Sequence, residues 1–372
     1  MSRYLVAVLR CSICAVVLSI QMFSQVSRRV DLREWGYRPP ESATSHFQVQ
    51  LPSQIVSIGK DGGVVVGFVT RDRTGLATRD LPPLSLHVIR FATNGKFLSQ
   101  GTIPTPSWHE NAIFVGNGDT LLIRTGTRLY LFSSNMERLA DKDLSATPNS
   151  VLTDWRIYPL PSRNSFLLYN YLRASTSIAL LNWRDLRSIK ECPYSPYDRV
   201  LAVSNKNILS IHPSLAKNPL RRTVELSEIC GPSNSSYSWE GDPTNAALID
   251  DGGLILAGGG SSIISVVDNK VRWTEMFDKK FEIVSNHIEV SADGRLLAAA
   301  IKKLGGGNRL LDISRSLRSI KIIVYQADTG KRTVEVSVTP TPSSVFDFAL
   351  SPEGDSLAVV SDGYVEIVPL KQ

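Results

Sequence analysis

The chain has 372 residues, of which 42% are hydrophobic and 20% charged, and its formal net charge is +6. This length is enough to bury a sizeable hydrophobic core within one domain. The excess of basic residues is too small to indicate nucleic-acid binding, so no specific nucleic acid is expected as a partner.

The first 24 residues have the features of a secretory signal peptide. Arg3 and Arg10 supply positive charge before the apolar run Cys11–Ile20. A polar stretch with small residues follows, and cleavage is expected after Ser24 or Ser27. The run is shorter than the roughly 20 residues that span a bilayer. We therefore predict a secreted or periplasmic protein with no transmembrane helix in its mature chain; an uncleaved N-terminal anchor is the alternative.

Residues 25–44 are predicted to form an irregular leader, and residues 45–372 a single β domain. The domain begins with Ser45–Leu51 (S-H-F-Q-V-Q-L), in which apolar and polar residues alternate. This period of two is typical of a strand with one buried and one solvated face. No long helical pattern occurs, so the domain is expected to consist of strands.

From residue 54 onward the chain divides into units of roughly 40–60 residues, the spacing of propeller repeats. A unit begins with an apolar strand and a Gly-centred turn such as Ser291–Gly294, which suits a tight hairpin. The next strand, for example Leu357–Val360, is apolar on both faces, as a sheet covered on both sides requires. An outer strand such as Thr333–Val338 alternates, so one of its faces is solvated. The seven units are Gln54–Ile103, Asn111–Leu144, Asp154–Cys192, Arg199–Cys230, Asn245–Phe277, Ile288–Val338 and Phe346–Leu370.

The last unit stops after its third strand, at Leu370, and so lacks an outer strand. Pairing of Ser45–Leu51 with this unit would close the ring and protect its edges. The predicted fold is therefore all-β: a single seven-bladed β-propeller of four-stranded antiparallel blades, closed by an N-terminal strand. Residues 213–242 contain one poor strand, Thr223–Ile229, so a ring of six blades is the alternative.

The turn motif S-x-D/E-G-x-x-L-A occurs at Ser291–Ala298 and again at Ser351–Ala358. These segments resemble TolB-type propeller repeats, and the chain as a whole resembles the WD40-like and YVTN-type propeller superfamily. The resemblance covers nearly all of Ser45–Leu370 and implies the fold. The Gly-His pair and the Trp-Asp ending of WD40 repeats are absent, so the resemblance implies no functional residue.

Cys192 and Cys230 fall in the outer parts of adjacent units, the third and the fourth. Neighbouring blades bring their outer regions near each other, and the export signal implies an oxidising compartment. One prediction is a disulfide between them; the alternative is two buried free thiols.

No motif predicts a catalytic or metal site, and no cofactor is expected. The five histidines show no pair at metal-ligand spacing. Signatures of a calcium loop, a nucleophile elbow or a phosphate-binding loop are also missing. Turn carboxylates such as Asp293 and Asp355 are explained by turn chemistry.

The longest connections are predicted between the second and third strands of a unit, which places them on one face of a propeller. They are Arg71–Ser85, Pro213–Arg222 and Lys302–Ser319, and all three are rich in Lys and Arg. Long loops on a rigid scaffold are where binding residues concentrate. An anion-binding face is one interpretation; ordinary solvated loops are the other. The candidate ligand-binding arginines are Arg71, Arg73, Arg79, Arg221, Arg222, Arg309, Arg315 and Arg318.

Trp239 is the tryptophan expected to lie exposed in a loop, in the stretch Ser235–Glu240. It would stack on a sugar there; packing between blades is the commoner role of such a residue.

Two functions remain open. The first is a monomeric, non-enzymatic binding or scaffold protein whose basic face holds an acidic glycan or an unknown partner protein. The second is an exported propeller enzyme, either a hydrolase, a lactonase or a quinoprotein-like oxidoreductase, with its site at the channel mouth. Convergence there of three or more carboxylate, Asn or His side chains would favour the enzyme. The fold alone does not decide between them.

Overall fold

The chain forms seven four-stranded antiparallel sheets, one at each predicted unit, and these sheets are the blades of a propeller. The ring is complete, since the innermost strand of blade 1 contacts the innermost strands of blades 2 and 7. No helix among the residues described is long and apolar enough to cross a membrane. The computed structural model describes residues 27–38, 54–71, 84–106, 110–116, 120–145, 155–160, 163–170, 177–194, 198–212, 221–240, 243–249, 253–258, 261–268, 270–278, 280–305, 317–339 and 346–370.

The strands of each blade run from the innermost to the outermost. Blade 1 consists of β2 (Gln54–Ile58), β3 (Val64–Arg71), β4 (Leu84–Phe91) and β5 (Phe97–Thr105). Blade 2 consists of β6 (Asn111–Val115), β7 (Leu121–Thr125), β8 (Arg128–Phe132) and β9 (Arg138–Asp143). Blade 3 consists of β10 (Trp155–Leu160), β11 (Ser165–Asn170), β12 (Ser177–Asn182) and β13 (Ser188–Pro193). Blade 4 consists of β14 (Arg199–Val203), β15 (Asn207–His212), β16 (Arg221–Glu228) and β17 (Ser233–Glu240). Blade 5 consists of β18 (Pro243–Leu248), β19 (Leu254–Gly258), β20 (Ser262–Val267) and β21 (Lys270–Met276). Blade 6 consists of β22 (Glu282–Val290), β23 (Leu296–Leu304), β24 (Leu317–Gln326) and β25 (Arg332–Ser337). Blade 7 consists of β26 (Asp347–Leu350), β27 (Ser356–Ser361), β28 (Tyr364–Pro369) and β1 (Arg28–Asp31), which a 3₁₀ turn, Leu32–Trp35, follows.

The hydrophobic core lies between neighbouring blades. Between blades 6 and 7, for example, Ala298 and Ala300 of β23 pack in one cluster with Phe348 and Val359. Second strands are buried on both faces because each blade is covered on both sides, whereas outer strands such as β5 alternate between exposed and less exposed residues. The inference from apolar runs and alternation is therefore confirmed.

The S-x-D/E-G turn works as a small hydrogen-bonded unit. The Ser291 hydroxyl accepts a hydrogen bond from the backbone N–H of Leu296 (3.0 Å) and donates to Oδ1 of Asp293 (2.6 Å). The Ser351 hydroxyl likewise accepts from the N–H five residues on, that of Ser356 (3.0 Å), but it donates to Asp355 (2.7 Å), the residue after the glycine, and not to Glu353 at the acidic position of the motif. The repeated sequence thus encodes one turn that ties the start of the second strand to the end of the first.

An N-terminal strand does close the ring, but the segment predicted for it was wrong. The closing strand is β1, which pairs antiparallel with β28 from Arg28 opposite Ile367 to Asp31 opposite Tyr364. It lies within the stretch predicted to be an irregular leader, and Ser45–Leu51 lies outside the described residues.

Side chains, rather than alternation, explain why β1 closes the ring. Leu32 is fully buried in the cluster between blades 7 and 1, and Trp35 stacks on Phe97 with ring centroids 4.5 Å apart. Arg29 lies over the ring of Tyr364, 3.8 Å from its centroid. These contacts join residues far apart in the chain, which no local pattern reveals.

Blade 4 is complete, so the ring has seven blades and not six. The segment in doubt contains two long strands, β16 and β17, which pair from Arg221 opposite Glu240 to Ser227 opposite Ser233. The sequence Ser233–Glu240 is polar because the side chains of this outermost strand are exposed or half-buried from Ser233 to Tyr237. This composition made the segment look like a loop.

Candidate functional site

The long second-to-third connections and the blade-to-blade connections lie on one face of the ring, here called the long-loop face. The second-to-third connections of blades 1, 4 and 6 cover residues 72–83, 213–220 and 305–316, whereas those of blades 2 and 7 cover only 126–127 and 362–363. On the opposite face every connection between the described strands is short. The asymmetry makes the long-loop face the candidate binding surface.

The structure places four of the predicted arginines at the roots of these connections. Arg71 ends β3, Arg221 and Arg222 begin β16, and Arg318 lies near the start of β24. They were expected in loops, but they lie on strands, because the ladders of blades 1, 4 and 6 run further than the sequence indicated. Three different blades contribute these residues, so the structure does not bring all of them together. Arg73, Arg79, Arg309 and Arg315 lie outside the described residues.

Trp239 is not in a loop. It belongs to β17, where its backbone pairs with Arg222 of β16. The expectation of a loop position was wrong because the polar segment around Trp239 is the outer strand of blade 4.

His287, on the innermost strand of blade 6, is the centre of a hydrogen-bonded polar group on the channel wall near this face. Its Nδ1 donates to Oδ1 of Asp347 (2.9 Å) and its Nε2 to Oε1 of Glu289 (2.7 Å). Asp347 accepts a further hydrogen bond, from the backbone N–H of Val56 (3.0 Å). The group therefore joins the innermost strands of blades 6, 7 and 1.

A β-bulge places His287 there. The β22–β23 ladder is regular from Glu282 to Val284 and from Ile288 to Val290, with a register shift between these two stretches. A bulge re-aims side chains, and here it sets the imidazole against the ring of Phe348, with centroids 4.6 Å apart.

His287, Asp347 and Glu289 are three converging His and carboxylate side chains, the arrangement expected of an enzyme. They form hydrogen bonds with one another, however. Both imidazole nitrogens are bonded, and both oxygens of Asp347 accept hydrogen bonds. Across the described part of the chain no group of three or more His, Cys, Asp or Glu is arranged to hold a metal ion. We interpret the group as a tie between blades.

Two carboxylates keep His287 charged. Burial opposes the charge, but the hydrogen bonds and negative charges of Asp347 and Glu289 outweigh it and raise the pKa of His287 to about 10. Because this pKa is above the unfolded value of 6.5, the tie contributes its full stability below pH 6.5 and loses it as the pH rises towards 10.

We expect the stability difference between wild type and His287→Gln to shrink by about 1–2 kcal/mol between pH 6.5 and pH 10. This magnitude allows for solvent screening, since the His287 side chain is 36% exposed. Denaturant unfolding at a series of pH values measures it. A difference that does not change with pH would show that His287 acts without its charge.

His212 forms a second such tie, within blade 4. Its Nδ1 bonds to Asp198 (2.5 Å), and its Nε2 bonds to Glu225. Burial lowers the pKa of His212, but Asp198 and Glu225 outweigh this and raise it above its usual value. Neither tie was visible in the sequence, because Asp198 and Glu225 lie more than ten positions from His212, and Asp347 belongs to a different blade from His287.

Cys192 and Cys230 are joined by a disulfide, with Cα atoms 5.3 Å apart. Cys192 is buried in β13 of blade 3, and Cys230 follows β16 of blade 4. The bond therefore links the outer parts of two adjacent blades, which is the arrangement that the positions in the repeat indicated.

Two cavities lie away from the His287 and His212 ties. One, of about 50 Å³, sits where turns of five blades meet at the opposite end of the channel, with Lys60, Pro159 and Ala292 in its wall. The other, of about 970 Å³, is an open cleft between blades 1 and 2, lined by Ile103, Tyr130 and further residues of third and outer strands. The first is too small for an organic ligand, and the second is wide open to solvent.

No family model matches this chain, and no curated protein matches it. Solved structures with a similar fold include a chain of the mitotic checkpoint complex, with 11% identity, a TM-score of 0.54, and 93% of this chain and 94% of that chain covered. The C-terminal WD40 domain of Sif2 has 10% identity and a TM-score of 0.53, covering 87% and 97% of the two chains. Hydrazine synthase of Kuenenia stuttgartiensis has 12% identity and a TM-score of 0.55, covering 88% and 99%. At these identities the similarity establishes the propeller fold and nothing more, and it confirms the fold-level resemblance to WD40-type propellers.

Proposed function

We propose that this chain is an exported β-propeller that binds an anionic ligand or an acidic partner protein through its long-loop face, without catalysing a reaction. One observation carries the proposal: Arg222, Lys303 and Arg318 lie at the roots of the two long connections of blades 4 and 6, on one face of a rigid ring. Cations on a fixed scaffold attract and hold anions.

Two further observations support the proposal. The N-terminal run and the Cys192–Cys230 disulfide are both suited to an oxidising compartment outside the cytosol. One neighbour in fold is a WD40 domain and another is part of a checkpoint complex. We extend a role in assembly to this chain as a proposal only.

The test is thermal unfolding of residues 25–372 with and without a sulfated polysaccharide, at low and high salt. Binding to the folded state raises Tm, and we expect a rise at low salt that high salt removes, because exposed charges are screened. The double variant Lys303→Glu, Arg318→Glu should lose most of the shift. Its matched control reverses two exposed cations on the outer strand of blade 5, Lys270→Glu and Arg272→Glu, and should retain the shift. No shift at either salt, or equal loss in both variants, would overturn the proposal.

A further inference from the structure

On the long-loop face, the strands of blade 6 extend further than those of blade 7. His287 of β22 contacts Asp347, which is the first residue of β26. The ladder of blade 6 continues past this level, with Ile283 opposite Lys302 and Leu304 opposite Leu317. Blade 7 has no strand beside this extension among the residues described, so the side of the extension that faces blade 7 is a candidate surface.

That side carries apolar residues. Phe281 is 39% exposed and Ile283 38%, and Leu304 and Leu317 are half-buried. They share one side of the sheet because directly opposed residues in an antiparallel ladder point the same way; the backbone N–H of Leu304 bonds to the carbonyl of Phe281 (2.7 Å). Contiguous exposed apolar side chains mark interaction sites more often than scattered ones do.

Lys302 lies in the middle of these residues and has no anion to balance it. It is half-buried, and its ammonium group stands 5.4 Å from the ring centroid of Phe346. Within the described part of the chain it makes no ion pair and no hydrogen bond, and burial lowers its pKa. By contrast, Lys321 of the same blade is paired with Glu335. Its contact with the ring of Phe346 is the only interaction of the ammonium group among the described residues. Desolvating a cation without an anionic partner is costly, so Lys302 is placed for an anion that comes from outside.

We propose that Phe281, Ile283, Lys302, Leu304 and Leu317 form a docking site, the blade 6 patch, for a partner-protein segment that carries a carboxylate beside an apolar side chain. The carboxylate pairs with Lys302, and the apolar side chain covers Phe281 and Ile283. Apolar burial next to a desolvated ion pair is typical of protein interfaces, whereas a sulfated glycan has little apolar surface to offer Phe281. The inference rests on the proposed function and narrows its ligand from any polyanion to an acidic protein segment.

Two soluble polymers test this directly, poly-Glu and a copolymer of Glu and Tyr. Wild type should bind the copolymer about tenfold more tightly than poly-Glu, as burial of one aromatic side chain allows. The variant Phe281→Ser, Ile283→Ser should lose this preference. Val271→Ser, Met276→Ser is the matched control, since these residues of β21 are more exposed, at 63% and 60%, and lie on an outer strand. Equal affinity of wild type for the two polymers would overturn the inference.

Lys302→Met supplies a second test. Its expected effect on Tm is opposite in sign to that of replacing a lysine that stabilises the fold. Removing a half-buried cation that has no anionic partner should raise Tm while it lowers the affinity for both polymers about tenfold. Lys321→Met, which breaks an ion pair elsewhere in blade 6, should leave both affinities unchanged. A fall in Tm for Lys302→Met would assign this lysine to the fold and sink the inference.

Failure of this inference can be told apart from failure of the proposed function. If wild type binds the sulfated polysaccharide and both polymers without preferring Tyr, the anion-binding face stands and the blade 6 patch does not. If none of the three polyanions binds, both are wrong.

Discussion

Deletion of residues 28–37 should unfold the protein or leave it aggregated, whereas a chain that begins at residue 25 should be stable. The deleted segment supplies the outer strand of blade 7 and buries Leu32 and Tyr37 completely. Truncating one buried leucine to alanine costs about 2–5 kcal/mol. Losing two large buried side chains and a strand therefore approaches the whole stability of a domain, about 5–15 kcal/mol, and leaves β28 as an open edge. Circular dichroism and size-exclusion chromatography of the two chains measure the effect.

Gly363→Ala tests the same closure with a chain of full length. Gly363 has φ +81°, and a Cβ there would lie 2.2 Å from the ring of Tyr37. Gly95 has a similar φ of +75°, but its nearest neighbour, a methyl of Val30, is 3.5 Å away. Both substitutions carry the cost of a positive φ. Gly363→Ala should destabilise by about 2 kcal/mol more than Gly95→Ala, because Tyr37 must move. Equal losses in the free energy of unfolding would contradict the packing of Tyr37 against blade 7.

Removing the disulfide should lower the free energy of unfolding by about 3–4 kcal/mol. The two cysteines are separated by 38 positions, and in the chain-entropy model a crosslink over such a loop restricts the unfolded chain by this amount. Cys230→Ala is the better variant, because Cys192 is buried in the core between blades 3 and 4 and its truncation would add a packing defect.

A reductant provides the control for this measurement. It should lower the Tm of wild type to that of Cys230→Ala and leave the variant unchanged. If the reductant affects neither protein, the cysteines are not joined in solution, and the support that the disulfide lends to export is withdrawn.

The clearest agreement between sequence and structure concerns blades 6 and 7. Their strands and turns were predicted because a serine, an acidic residue and a glycine recur at the same spacing, and in both turns the serine hydroxyl accepts a hydrogen bond from the backbone N–H five residues on. Ser233–Glu240 shows the opposite case. Its composition is that of a loop, yet it is a strand because β16 offers it a complete ladder.

The candidate site also has one part that the sequence predicts and one that it does not. The positions of Arg71, Arg222 and Arg318 on one face follow from strand order alone, since second strands end and third strands begin on the same side of a propeller. The blade 6 patch does not, because it depends on blade 6 extending beyond blade 7. Lys302 looked like one more loop lysine until its position on β23, half-buried against Phe346, was known.

The sequence by itself determined the all-β class, the repeat and the placing of the long connections on one face. It also limited the number of blades to seven or six, depending on whether blade 4 was complete. These properties are written in turn chemistry and in the period of apolar residues, which act over a few positions. Only the tertiary structure decided which N-terminal segment closes the ring, and which charges meet across blades. Those outcomes depend on contacts between residues as distant as Arg33 and Tyr364, or His287 and Asp347. Their free energy comes from packing and charge pairing in the assembled ring, and no local pattern carries it.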